Sequence, residues 1–326
     1  MADRASGKVA PVLSDQPAGQ AGASVARRAR RRYRLLTNRD RAILALMVGI
    51  PLLLDLALIW GPTIASILLS FTNWNGVTPL DKVKVIGTAN YDNLFTSYPF
   101  FWPALQHNVL WLAVLMFVAT PIGILFAVLL DREIRGTRIY QSIFYLPVVL
   151  SLAIIGFIWE LQYAPEQGFI NNVTGHTSQA NLIDWLGDRS LNIWAVLVAA
   201  SWRHVGYVMV LYLAGLKSVD PTLKEAAAID GASAWQTFRS VTFPVMQPIN
   251  VVVVVVTTIE SLRAFDLAYI INRGKNGLEL LSTLITNNSI SESNRIGFGS
   301  AIAVILLVVS LVPIVIFLGR MMREPA

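Results

Sequence analysis

Residues 224–248 read KEAAAIDGASAWQTFRSVTFPVMQP and lie between two runs apolar enough to cross a membrane, 191–216 and 249–271. A connection between two spans needs only a few polar residues, yet this one carries two complete sets of helix start and stop signals. Asp220 before Pro221 supplies an N-cap and a proline at the first helical position, TLKEAAAID gives about two turns of strong helix former, and Gly231 is a helix stop. Ser233 with Gln236 opens a second helix through a capping box, which Pro244 and Pro248 close before the next apolar run. The spacing predicts a helix-turn-helix elbow. These signals alone also suit an amphipathic pair resting in the membrane interface. A buried interfacial face, however, wants Trp, Phe or Leu, whereas the first helix offers Ala226, Ala227 and Ala228. Small side chains suit a helix that enters a tight cleft in another protein, with Glu225 and Asp230 available to basic residues there.

The composition agrees with a membrane setting. Of 326 residues, 55% are hydrophobic and 14% charged, where an average soluble domain has roughly 25% charged residues. Apolar runs occupy 42–71, 109–130, 143–159, 191–216, 249–271 and 298–319. Each is near the length of about 20 residues that a helix needs to cross the bilayer. Residues 1–41 form a basic N-terminal tail expected to be disordered. Its first 26 positions are rich in Ala, Gly, Pro, Ser and Gln, and RRARRRYR follows at 27–34. The first apolar run is too long for the core of a cleavable signal peptide and stays as a span.

Orientation follows from the cations. Of 26 Lys and Arg, ten lie in 1–41, three in 131–140, three in 217–248 and two in 320–326, against six in the alternate loops. Both termini and the elbow are therefore expected in the cytoplasm. The net charge of +6 reflects this polybasic anchor beside anionic lipid and not nucleic-acid binding, for which no aromatic platform or folded module is present. Absence of Cys excludes thiolate metal sites and thiol catalysis, His107, His176 and His204 lack metal-ligand spacing, and no phosphate-binding P-loop occurs. Trp74, Tyr91, Phe95, Tyr98, Phe100, Phe101, Trp102 and Trp185 fall in the loops expected outside. They suit an interfacial aromatic belt or a cap that meets an outside partner.

Asp55, Arg203, His204, Glu260, Arg263 and Asp266 fall within spans, where a central charge costs about 2.5–3.5 kcal/mol and must face protein or water. Glu260, Arg263 and Asp266 are spaced to share one face of the fifth span, with Glu260 about 16 Å and Arg263 about 21 Å along it. Such a ladder either holds helices together or forms a polar wall of a translocation path, beside Phe265 and Tyr269. Arg203, next to Trp202, is a further candidate for the same wall. An ion-coupled secondary transporter using the ladder is the alternative class. Against it stand the large elbow and the lack of a detectable inverted repeat.

The segment KSVDPTLKEAAAIDGASAWQTFRSVTFPVMQP resembles the EAA loop in membrane subunits of bacterial binding-protein-dependent ABC importers of the maltose-type carbohydrate branch. Glu225, Ala226, Ala227, Asp230 and Gly231 fall on that motif, as do Trp235, Phe238, Arg239 and Pro244. Further similarity covers SFTNWNG (70–76), TANYDNLF (88–95), FWPAL (101–105), FYLPVVLS (144–151), IWELQYAPEQGFIN (158–171) and AFDLAYI (264–270). Where many relatives carry Gly-Gly-Pro after the fifth span, this chain has NRGKNG at 272–277. The resemblance implies an all-α integral membrane protein of six transmembrane helices with the type I importer permease fold. It implies a permease domain over 42–320, an EAA loop at 217–248 and a cytoplasmic tail at 321–326. The elbow would be a coupling helix docking on a cytoplasmic ATPase dimer that holds ATP and magnesium, which leaves this chain with no catalytic residue, cofactor or metal of its own. A second homologous permease and an extracytoplasmic sugar-binding protein would complete the assembly in the bacterial inner membrane, with a di- or oligosaccharide as cargo.

Overall fold

The computed structural model describes residues 37–132, 135–291 and 294–321, so most of the expected N-terminal tail and residues 322–326 lie outside the described residues. The chain divides into two units, one ending at Thr63 and one beginning at Ile64. Helix α1 (Asn38–Leu69) opens with a capping box. Asp40 N–H donates to the Thr37 hydroxyl at 3.3 Å, and Thr37 N–H donates to Asp40 Oδ2 at 3.0 Å. The box starts the helix at Asn38, ahead of the apolar run at 42 and inside the stretch expected as tail. None of its side chains is buried, as suits a surface bathed in lipid.

The second unit continues through α2 (Ala89–Thr96), α3 (Phe101–Asp131), α4 (Thr137–Val149), α5 (Leu152–Gln162), α6 (Phe169–Thr174) and α7 (Asn192–Ser218). It then runs through α8 (Pro221–Ile229), α9 (Ala234–Val245), α10 (Gln247–Leu262), α11 (Asp266–Asn272), α12 (Leu281–Thr286) and α13 (Ile296–Met321). Among the described residues the only β pairing is an isolated bridge between Thr72 and Val85. Just beyond it, Asn90 donates to the carbonyls of Ser70 and Thr72 at 2.8 and 2.9 Å, which ties TANYDNLF back onto SFTNWNG.

Four described helices are long and apolar enough to cross a membrane, and the number reaches six if each of two bent pairs is one span. Those pairs are α4 with α5, bent by 101°, and α9 with the stretch Gln247–Asn272, bent by 77°. The third span, expected as a continuous run over 143–159, therefore contains a sharp turn. Leu150 is extended, and Ser151 restarts the chain as the N-cap of α5, its hydroxyl accepting from Ile154 N–H at 3.3 Å.

The core gathers around α7, which has 16 of its 27 residues buried. Backbones approach closely there because glycine permits it. A Cβ on Gly123 of α3 would lie 2.8 Å from Val205 O, and one on Gly206 of α7 would overlap the Phe144 carbonyl of α4. Val208, Met209, Tyr212 and Leu216 of α7 then pack with Ala127 and Leu130 of α3 and with Val253 of α10. This wedge sets the spacing between α7 and α10, which in turn positions the charged residues of both.

Candidate functional site

Two regions carry the sequence-level candidates, the elbow and the interior of the fifth span. In the elbow, Asp220 caps α8 by accepting from Thr222 N–H at 2.9 Å. That backbone bond, followed by the Thr222 side chain, holds the exposed Asp220 carboxyl below the usual range. The helix ends as Asp230 leads into Gly231 at φ 78°, and Ala232 N–H folds back to Ala227 O at 3.0 Å. No atom lies within 4 Å of a Cβ placed on Gly231, so its backbone angle and not crowding demands glycine. Ser233 and Gln236 form the second capping box, with Ser233 N–H donating to Gln236 Oε1 at 2.8 Å. Trp235 and Phe238 stack at 5.8 Å on α9.

The faces of α8 are sorted. Glu225, Ala226, Ala228 and Asp230 point outward, while Ala227 is buried against the protein. Ala227 therefore seats α8, whereas its neighbours are free to touch something else. Ile229, not singled out from the sequence, is 86% exposed at the end of the helix. An isoleucine just before Asp-Gly in a polar connection was the available signal. Lys224 reaches Asp131 Oδ2 at 3.2 Å, joining α8 to the end of α3.

The fifth span is not one continuous helix. It breaks between α10 and α11 at residues 263–265, so Glu260, Arg263 and Asp266 do not form a ladder along one uninterrupted face. A break inside a membrane frees backbone carbonyls that need partners. Asn108 of α3 donates to Leu262 O at 3.3 Å and accepts from Leu281 N–H at 2.9 Å, and the Ser282 hydroxyl donates to Ala264 O. Neither Asn108 nor Ser282 stands out in the sequence, because their significance depends on a break located more than a hundred residues from Asn108.

The break opens a cavity of about 250 Å³, lined among others by Arg203, His204, Glu260, Arg263, Phe265 and Asp266. Glu260 turns to α7 and not to Arg263. Its oxygens lie 3.6 Å from Arg203 Nη1 and 3.5 Å from His204 Nδ1. His204 is 2% exposed, and its Nε2 lies 3.3 Å from Thr120 Oγ1 and 3.1 Å from Thr257 Oγ1. The sequence marks His204 only as an intramembrane polar residue. Its packing holds the imidazole beside the Glu260 carboxylate. Arg263 and Asp266 are exposed to the cavity side and have no ion pair among the described residues. Tyr269 stacks on Phe265 at 4.9 Å, just outside the cavity lining. Trp202 is not part of the cavity lining and stands edge-on to Trp159 at 5.9 Å. The arrangement brings two guanidiniums, two carboxylates, the His204 imidazole and the aromatic rings of Trp111 and Phe265 to a single space. It can donate to and accept from hydroxyl groups without net charge.

The family described as binding-protein-dependent transport system inner membrane component matches residues 119–323. The xylose/arabinose import permease protein XacH of Haloferax volcanii is 31% identical over 283 residues, covering 86% of this chain and 88% of that protein. The trehalose/maltose transport system permease protein MalF of Thermococcus litoralis is 28% identical over 250 residues, covering 76% and 84%. Among solved structures, a bacterial ABC transporter involved in the import of the acidic polysaccharide alginate contains a chain that superposes with a TM-score of 0.74 at 22% identity. That match covers 88% of this chain and 97% of the other, a likeness of fold.

Proposed function

The chain belongs to the family of binding-protein-dependent transport system inner membrane components, and we propose on that footing that it is the membrane subunit of an ATP-driven importer for a neutral di- or oligosaccharide. The sugar class is supported by relatives named for xylose, arabinose, trehalose and maltose. The observation that carries the site is the broken fifth span, with Arg263 and Asp266, which have no ion pair among the described residues, beside Phe265 in a cavity of about 250 Å³. Arg203, Glu260 and His204 complete a charge-balanced wall, and each hydrogen bond from a hydroxyl to a charged group there contributes roughly 1.5–3 kcal/mol. An acidic cargo would meet the Glu260 and Asp266 carboxylates as well as the guanidiniums. Relatives that are themselves permeases of transport systems argue against the ion-coupled carrier.

In this reading α8 docks on a cytoplasmic ATPase dimer that binds ATP and magnesium. Glu225, Ala226, Asp230 and the exposed Ile229 form the contact, and Ala227 anchors the helix from behind. A second permease subunit shares the path, an extracytoplasmic sugar-binding protein delivers the cargo, and both termini face the cytoplasm. Sugar uptake and sugar-stimulated ATPase in the assembled complex, measured with Arg263→Gln and Tyr269→Ala, test the path. Uptake should fall in both variants while basal ATP hydrolysis persists. Unchanged uptake of every candidate sugar in assembled variants would place the path elsewhere. Single cysteines at Ser233 and Ser178 should label from opposite sides of the membrane, and labelling from one side would overturn the orientation.

A further inference from the structure

A second space lies away from the charged cavity. An open groove of about 430 Å³ runs between α3 and α9, walled by Leu125, Val128 and Leu129 on one side and by Trp235 and Phe238 on the other. Its apolar walls are open to the surroundings, with Leu125 54% and Trp235 67% exposed. Among the described residues Arg132 is the one charged residue in the lining, and it sits just past the end of α3. It has no ion pair among the described residues, and Asp131 beside it is already engaged by Lys224. Exposed Arg135 lies in the turn before the next helix and exposed Arg138 in its first turn, and exposed Arg239 lies one turn beyond Trp235. Glu133, the acid between Arg132 and Arg135 in sequence, lies outside the described residues.

The groove is therefore polarised, apolar along its length and cationic at one end. From Pro121 to Arg132 it follows about 16 Å of helix, close to half of a bilayer core about 30 Å thick. That is the shape and charge of one leaflet's worth of an anionic amphiphile, because basic pockets between membrane helices on the cytoplasmic side attract acidic head groups. We propose that this groove binds an anionic phospholipid of the cytoplasmic leaflet, with an acyl chain along α3 and its phosphate at Arg132. The assignment rests on the elbow being cytoplasmic.

The test uses the complex with its ATPase subunit, reconstituted in phosphatidylcholine vesicles with or without phosphatidylglycerol. Phosphatidylglycerol brominated on its acyl chain should quench Trp235 fluorescence, identified by difference from Trp235→Phe, more strongly than brominated phosphatidylcholine. Native mass spectrometry should show phosphatidylglycerol retained by the parent, retained about fivefold less by Arg132→Gln, and restored by Arg132→Lys. Equal quenching by the two brominated lipids together with equal retention in parent and Arg132→Gln would overturn the site. So would cross-linking of Val128→Cys to a second permease chain, which would make the groove a protein interface. The orientation is read separately. If Ser233→Cys labels from outside, the cytoplasmic elbow fails whatever the lipid result, whereas correct labelling and a copurifying ATPase without lipid preference would sink the lipid site alone.

Discussion

The elbow and the interior of the fifth span are built from the same materials, short helices meeting at non-helical joints, but they are specified in different ways. In the elbow every joint is closed by residues within a few positions of it. Asp220 caps Thr222, Gly231 supplies the left-handed turn, and Ser233 and Gln236 cap each other. At the break in the fifth span the partners come from elsewhere. Leu262 O is met by Asn108 and Ala264 O by Ser282, while Glu260 is met by Arg203 and His204. A locally closed joint keeps its shape when its surroundings move, which suits an element that receives force. A joint closed by distant helices changes when those helices shift relative to one another, which suits the wall of a path that must open and shut.

The contrast can be broken at its far end first. Asn108→Leu removes the side chain that pairs with Leu262 O and Leu281 N–H, and each buried group left unpaired costs about 1–3 kcal/mol. Unfolding of the purified variant should begin at a clearly lower temperature, and uptake should be lost. A variant as stable as the parent would show that the break does not depend on Asn108. Gly231→Val should act differently, imposing about 1–2 kcal/mol of left-handed strain on one joint. Membrane insertion and overall stability should survive while ATP-driven uptake drops, and normal uptake would count heavily against docking by α8. The smallest effect is expected at the tie between the elbow and the end of α3. Lys224 and Asp131 form a partly exposed pair, so Lys224→Met and Asp131→Asn should each cost no more than about 1 kcal/mol. A double-mutant cycle on stability should return a coupling in that range. A larger coupling on transport than on stability would mark the pair as a strut between α8 and α3.

The amino-acid sequence by itself determined the membrane class, the places where apolar runs begin and end, and both helices of the elbow. These rest on hydropathy over about 20 residues and on caps that close within four positions, so a linear reading contains all of their partners. Only the tertiary structure decided that the third and fifth spans are interrupted, that Glu260 pairs with Arg203 and His204 and not with Arg263, and that Ala227 turns inward while Ile229 turns out. A helical period assumes that the helix continues. Whether it does depends on whether each freed carbonyl finds a donor, and here those donors are a side chain 154 positions away and another 18 positions on, brought near by the packing of α3, α7 and α10.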